Sequence, residues 1–252
     1  MINFPVLRTK RLTVRMKELA MLDAIALAAI PDHLNEEATT AFLRASIDSI
    51  QGVESPEDWT VQERTMAVCH YMASVMDDGP DFSLANGEAR FSDYLVGDQD
   101  YPDDLVEIGD IEGDRWQVRH LTGAMAGSIE RLHGEIPNVS GYAHWRIGRM
   151  AAQLVPNGKA VPIGGDIDAA MIERMNVIAR YPESVFTRLI AAFEQGRQAL
   201  DHLFIMEADE HGLIALPKGG SAAEEPPARF PVGACITGLA KHLGGKSAVS
   251  GA

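Results

Sequence analysis

Apolar residues recur at intervals of three and four along most of this chain, and Pro or Gly interrupts the pattern repeatedly. Such spacing places apolar side chains on one face of an α-helix. It is clearest where Val185, Leu189 and Phe193 share a face, with Pro182 standing where that helix would begin. The sequence therefore predicts a mainly α fold, a helical bundle held together by apolar helix faces.

A short β element is expected near the beginning. Leu12, Val14 and Met16 alternate with polar or charged residues, which is the period-two pattern of a strand with one buried face. From Leu19 the spacing becomes helical, and Pro31 ends that helix. We therefore expect a short N-terminal β-strand or hairpin followed by the first helix.

Further helices are predicted from apolar spacing and from capping residues. Ser55 and Pro56 are typical of a helix start, and this helix should reach about Met76. The other segments with helical spacing are approximately 35–50, 114–134, 142–154, 166–181 and 182–206.

Two regions are predicted along the chain. Residues 1–216 should form the mainly helical domain, with a sub-boundary near the acidic segment 77–113. Residues 217–231 are rich in Gly, Ala, Glu and Pro, a composition typical of a flexible linker. The region 217–252 is therefore expected to be a flexible linker with one short C-terminal helix.

Charge and composition exclude several classes of function. The 252 residues carry a formal net charge of -14, so the average surface repels phosphate, and direct binding of nucleic acid is not expected. No run of about 18 apolar residues occurs, which argues against a membrane span. The two cysteines, Cys69 and Cys235, are far apart in sequence. Their small number fits a reducing compartment, so we expect a cytoplasmic protein.

Motifs that carry chemistry are incomplete. Residues 245–247 copy the end of a phosphate-binding loop, but Ala240 stands where its first Gly is needed. A calcium loop starting at Asp98 would have Asp103 in place of the turn Gly and Gly109 in place of the bidentate Glu. No catalytic, cofactor-binding or metal-binding residue is therefore assigned.

The eight histidines leave one alternative open. None has the spacing of a metal-binding helix, although His120, His133 and His144 could converge in space. Cys69 and His70 are neighbours on one predicted helix and point in different directions, so they do not form a nucleophile and base pair. An enzyme with a site of dispersed His, Asp and Arg residues stays a rival hypothesis.

The segment from Asp77 to Asp114 is the most acidic part of the chain, with thirteen acidic residues and one Arg. One interpretation is a solvated loop anchored by a few apolar residues; the other is a docking surface for a basic partner. Methionines on helical faces would suit an adaptable groove. The candidate partner-binding residues are Asp98, Asp100, Asp103, Asp104, Phe91, Tyr94, Met72 and Met76.

Two stretches resemble a known family. The segment from Leu7 to Leu19, continuing through Asp23 to Pro31, is similar to the strand-then-helix start of tail assembly chaperones and baseplate-hub assembly proteins of tailed bacteriophages. The closing segment from Ala228 to Ala234 is similar to phage structural proteins.

The resemblance implies an α-rich, acidic protein in the host cytoplasm that binds a structural protein of the tail or baseplate without catalysis. It implies no catalytic residues and no cofactor. A permanent structural component of the virion is the alternative, and a homo-oligomer is left open.

Overall fold

The computed structural model describes residues 2–84, 89–97, 102, 104–162, 167–220 and 223–245. Within these residues, eight α-helices surround three small antiparallel sheets with eight strands in all. The predicted fold class, a mainly α helical bundle, is therefore wrong. The architecture is mixed α and β.

The helices differ in length from six to sixteen residues. They are α1 (Met21–Ala29), α2 (Asn35–Ser46), α3 (Val61–Val75), α4 (Gly123–Arg131), α5 (Gly141–Gln153), α6 (Ile167–Ala179), α7 (Glu183–Gln198) and α8 (Gly238–Leu243).

Each sheet is small, and all its pairings are antiparallel. The strands, sheet by sheet, are β1 (Leu7–Arg8), β2 (Leu12–Met16) and β3 (Ile47–Gly52); β4 (Leu105–Ile111), β5 (Asp114–Arg119) and β6 (Leu154–Pro156); and β7 (Ile205–Asp209) and β8 (Gly212–Leu216).

The expected N-terminal strand is confirmed as β2, and it pairs with β1 in a hairpin. Leu12, Val14 and Met16 all point into the core, as the alternation predicts. The third strand was not predicted. α2 ends at Ser46, and the chain continues directly into β3, where the helical spacing had been extended to Ile50.

Two hairpins replace segments predicted as loop or helix. β7 follows the end of α7, where a single helix to Met206 was expected. Met206 and Ala208 are buried while the residues between and beside them are partly exposed, which is strand alternation. The β4–β5 hairpin likewise places Trp116 on a strand, and Trp116 and Val118 alternate inward.

α3 begins later than predicted. Its N-cap is Thr60, whose hydroxyl accepts a hydrogen bond from the Glu63 backbone N–H at 3.1 Å. The Glu63 carboxylate in return accepts from the Thr60 N–H at 2.9 Å. This reciprocal capping box satisfies two amides at the helix start. Ser55 and Pro56 lie before it in a turn.

The C-terminal segment packs onto the rest of the molecule. Val232, Ile236 and Ala240 belong to the same buried cluster as the N-terminal strands. The Phe230 ring lies 5.8 Å from that of Phe204 and 5.9 Å from that of Tyr94, measured between centroids. α8 also contacts α1, and residues 232–235 contact α3. A cleft lies between the C-terminal segment and these helices.

Candidate functional site

A cleft of about 530 Å³ lies over α3. Residues 27–39, from the end of α1 into α2, form one wall, and residues 228–236 form the other. β7 and β8 close one end with Met206, Leu213 and Ala215. Its volume is within the range of sites that bind a ligand or a few side chains of a partner.

The floor of the cleft is one face of α3. Val61, Arg64, Thr65 and Val68 line it, and their spacing of three, four and seven puts them on the same side of a helix. The Thr60 capping box fixes where this face begins. The floor is mainly apolar because the Arg64 side chain turns away into the protein.

Arg64 joins three elements beneath the cleft, with 1% of its surface exposed. Its guanidinium donates to the Pro56 carbonyl at 3.0 Å and to the Glu36 carbonyl and Thr40 hydroxyl at 2.9 Å each. A carboxylate oxygen of Glu36 lies 3.3 Å away. Burial raises the pKa of Glu36, and the charge of Arg64 opposes that rise. This pair is fully used in holding α2 against α3.

Glu130, a residue of α4, caps the N-terminus of α2. Leu34, the residue before α2, offers no side-chain cap. The Glu130 carboxylate of α4 instead accepts from the backbone N–H groups of Glu36 at 3.0 Å and Glu37 at 3.2 Å. Burial raises the pKa of Glu130 to about 7, although these hydrogen bonds act to lower it. The carboxylate therefore has a structural task at a helix start.

The opposite wall is held by Arg229 and Phe230. Arg229 donates to the Leu213 carbonyl at 2.9 Å and pairs with Asp209, which ties the wall to the β7–β8 hairpin. Phe230 rests on the aromatic rings behind it. Both sides of the cleft are thus fixed to the core by contacts that do not use the open space.

Charge is distributed unevenly around the cleft. The α1–α2 side carries Asp32 and Glu36 in the lining, and Glu37 lies exposed next to them. The other side carries Arg229 and Lys241. Arg64 is paired with Glu36 and Arg229 with Asp209, so these lining charges already have partners within the protein.

A second group of buried polar residues lies between α5, α7 and β7. Arg149 and Arg197 are each 3% exposed, and both pair with Glu207. Burial lowers the pKa of Arg149 to about 10, and it raises the pKa of Asp201 to about 6. The paired charges satisfy one another, as buried guanidinium groups require.

Next to this network, the Thr60 hydroxyl lies 3.1 Å from Nε2 of His202. A hydroxyl in contact with an imidazole is also the arrangement of a nucleophile and its base. Here the hydroxyl already caps α3, both residues are buried, and the adjoining cavity measures only about 10 Å³. That space holds about one water molecule and no substrate. The contact is structural.

His120, His133 and His144, which the sequence analysis considered as a possible cluster, do not come together. The rings of His133 and His144 lie 5.2 Å apart, whereas His120 stacks edge-on against His202 at 5.1 Å. In the part of the chain that the structure describes, no three His, Cys, Asp or Glu residues are grouped to hold a metal ion.

The predicted partner-binding residues lie in different places. Phe91 and Tyr94 come together in the aromatic cluster around Phe230, where the Tyr94 hydroxyl donates to the Pro226 carbonyl at 2.6 Å. Met72 is buried in the core.

Of the remaining predicted residues, Met76 is half-buried and Asp104 is exposed. Asp98, Asp100 and Asp103 lie outside the described residues. The role of all eight in partner binding stays a prediction.

Sequence reasoning did not identify the cleft, although parts of it carried signals. The segments 7–31 and 228–234 were singled out by their resemblance; residues 27–31 of the first and residues 228–234 of the second contribute to the lining. The Thr60–Glu63 capping box is visible in the sequence, and Thr60 lies five residues after Ser55, the N-cap that was predicted. That the two walls face each other could be seen only in the structure.

Comparison with protein-family models, with curated proteins and with solved structures finds no match. The chain is therefore described by its fold alone, which is mixed α and β, with eight helices and three small antiparallel sheets in the described residues. No helix in the described ranges combines the length and apolar character that crossing a bilayer would require.

Proposed function

We propose that this chain is a non-catalytic assembly factor for a phage tail or baseplate, which binds a structural partner protein in the cleft over α3. It acts in the host cytoplasm before the particle is complete. One observation carries the proposal. The two stretches that resemble phage assembly and structural proteins, 7–31 and 228–234, lie about 200 residues apart in sequence, and the end of the first and the whole of the second contribute lining residues to one cleft.

The chemistry of the cleft supports binding. The lining is mainly apolar, and its buried ion pair holds helices together. An apolar cleft with a polar rim is the usual form of a site that takes side chains of another protein. The net charge of -14 favours encounter with a basic partner.

Co-expression with the tape-measure or baseplate-hub protein encoded in the same genome tests the proposal. We expect the partner to become more soluble and to co-purify with this chain. Ala38→Trp should lower the recovered partner at least about tenfold, because an indole ring would fill the half-buried cleft position of Ala38. Ala191→Trp, on an exposed position of α7, is the matched control. No gain in solubility and no co-purification would count against the proposal.

Mass spectrometry of purified virions separates an assembly factor from a permanent component. An assembly factor is expected in infected cells during tail formation and not in mature particles. Recovery of the chain in particles at the copy number of a tail protein would favour the structural role.

A further inference from the structure

We infer that this chain forms a two-fold symmetric dimer through an exposed apolar surface on α1 and α8, so that the occupant of this surface is a second copy of the chain. The α1–α8 surface consists of Met21, Leu22, Leu239 and Leu243, and none of these four residues lines the cleft. Dimerisation therefore goes beyond the proposed function and does not depend on it.

Exposed apolar side chains are concentrated on the α1–α8 surface. In the described residues, four of the eight large apolar side chains that are exposed belong to these two short helices. Leu22 is 81% exposed, and Leu239 and Leu243 are 58% and 54% exposed. A cluster of this kind marks contact with another molecule. Residues 246–252 of the same chain contain one valine and no larger apolar residue, which is too little to cover four large side chains.

α1 and α8 pack closely against each other. A Cβ atom at Gly244, the residue after α8, would lie 2.7 Å from Cβ of Ala28 and 3.0 Å from the carbonyl oxygen of Ile25. Leu243 directly precedes Gly244, and Leu22 lies one turn before Ile25 on α1. The exposed side chains of the two helices therefore lie side by side and form one continuous surface.

The α1–α8 surface combines large and small residues. Ala26 and Ala29 are exposed, and they follow Leu22 at i+4 and i+7, on the same face of α1. Leu239 and Leu243 are one turn apart on α8. When two copies meet face to face, the two leucines of one copy can pack over the alanines of the other. An apolar centre of this kind is typical of interfaces between identical subunits.

The charged residues at the edges of the surface favour a second copy. Asp23 lies on the side of α1 opposite Ile25 and Ala28, the residues next to α8. His242 lies on the side of α8 opposite Gly244, and both Asp23 and His242 are exposed. A two-fold axis along the middle of the surface sets the Asp23 edge of each copy against the His242 edge of the other. An imidazole N–H then donates to a carboxylate at both ends of the interface.

Sedimentation equilibrium of the purified full chain tests the inference. We expect the average mass to rise from one chain toward two between about 1 and about 100 μM, with a Kd on the order of 10 μM. Leu22→Glu should raise that Kd at least about tenfold, because it would bury an unpaired charge in the interface. Val177→Glu, at a position of α6 that is 50% exposed, is the matched control and should leave the Kd unchanged.

A charge exchange tests the two-fold pairing. Asp23→Arg alone should weaken the dimer because a guanidinium would face His242, and His242→Asp alone should weaken it because two carboxylates would face each other. The two substitutions combined should restore a Kd within about threefold of the original. Both positions are exposed, so the core is untouched in each variant.

A wild-type chain that stays monomeric at about 100 μM would overturn the inference. A dimer that tolerates Leu22→Glu, or a charge exchange that does not restore binding, would overturn it as well. A monomeric wild-type chain whose tail partner is lost in Leu22→Glu would assign the surface to that partner and leave the assembly role standing. A dimer that binds no tail partner would support the second copy and reject the assembly role.

Discussion

Arg64 shows how one buried cation can hold together the elements around a cleft. Its side chain crosses from α3 to α2 and fills the space above Gly123 in α4. A Cβ atom at position 123 would lie 2.1 Å from Nη1 and 2.5 Å from Cζ of Arg64. The absence of a side chain at Gly123 is therefore a condition for the Arg64 hydrogen bonds.

Gly123→Ala should destabilise the fold by about 1–3 kcal/mol, the usual cost of inserting a methyl group into a filled interior. Gly238→Ala, at the first residue of α8, meets no atom within 4 Å, so it should be neutral or slightly stabilising. Urea denaturation measures both. Equal stabilities of the two variants would show that Arg64 can move aside without loss.

Among the helices and strands, the sequence predicted those in which the regularly spaced apolar residues are the ones that the fold buries. β2 was expected because three alternating apolar residues all face the core. α7 was expected from Val185, Leu189 and Phe193, and two of the three, Leu189 and Phe193, are buried. Local rules succeed where the buried face can be recognised within a single segment.

The missed elements depend on distant partners. In β4, Gly109 and several acidic residues resemble a loop, and only pairing with β5 makes the segment a strand. In α1, the buried face carries Ala24, Leu27 and Ala28, whereas Leu22 is 81% exposed. The cleft could not be predicted for the same reason, since its walls are brought together only by the complete fold.

α2 gives a testable case of an element completed from elsewhere. Glu130→Ala would leave the N–H groups of Glu36 and Glu37 without their acceptor. We expect a loss of about 1 kcal/mol in unfolding free energy, the usual cost of removing a helix cap from partly buried donors. Glu135→Ala, at an exposed position just after α4, should change stability little. Thermal unfolding followed by circular dichroism checks the difference, and matching curves would argue that water caps α2.

For the molecule as a whole, two buried carboxyl groups make stability depend on pH. The folded state raises the pKa of Glu130 to about 7 and that of Asp201 to about 6, from ordinary values of 4.5 and 3.8. At a pH between its ordinary pKa and its raised pKa, each group keeps its proton in the folded chain and has lost it in the unfolded chain. These two groups therefore lower the unfolding free energy as pH rises. The pKa of His144 is lowered by burial, which acts in the opposite direction.

The double variant Glu130→Gln, Asp201→Asn isolates the carboxyl contribution, because His144 is common to both proteins. From about pH 5 to about pH 8, the wild-type chain should lose about 4 kcal/mol of unfolding free energy relative to the variant, because about three pKa units of the two shifts fall in this range, at roughly 1.4 kcal/mol per unit. Urea titrations across this range supply the comparison. Parallel pH profiles would mean that both carboxyl groups ionise normally in the folded chain.

The wall formed by residues 228–236 has a consequence for the order of events in the cell. A nascent chain that has emerged from the ribosome only as far as β8 lacks one side of the groove, however well its earlier helices have folded. The cleft can therefore form only after residues 228–236 have been synthesised, because they supply part of its lining.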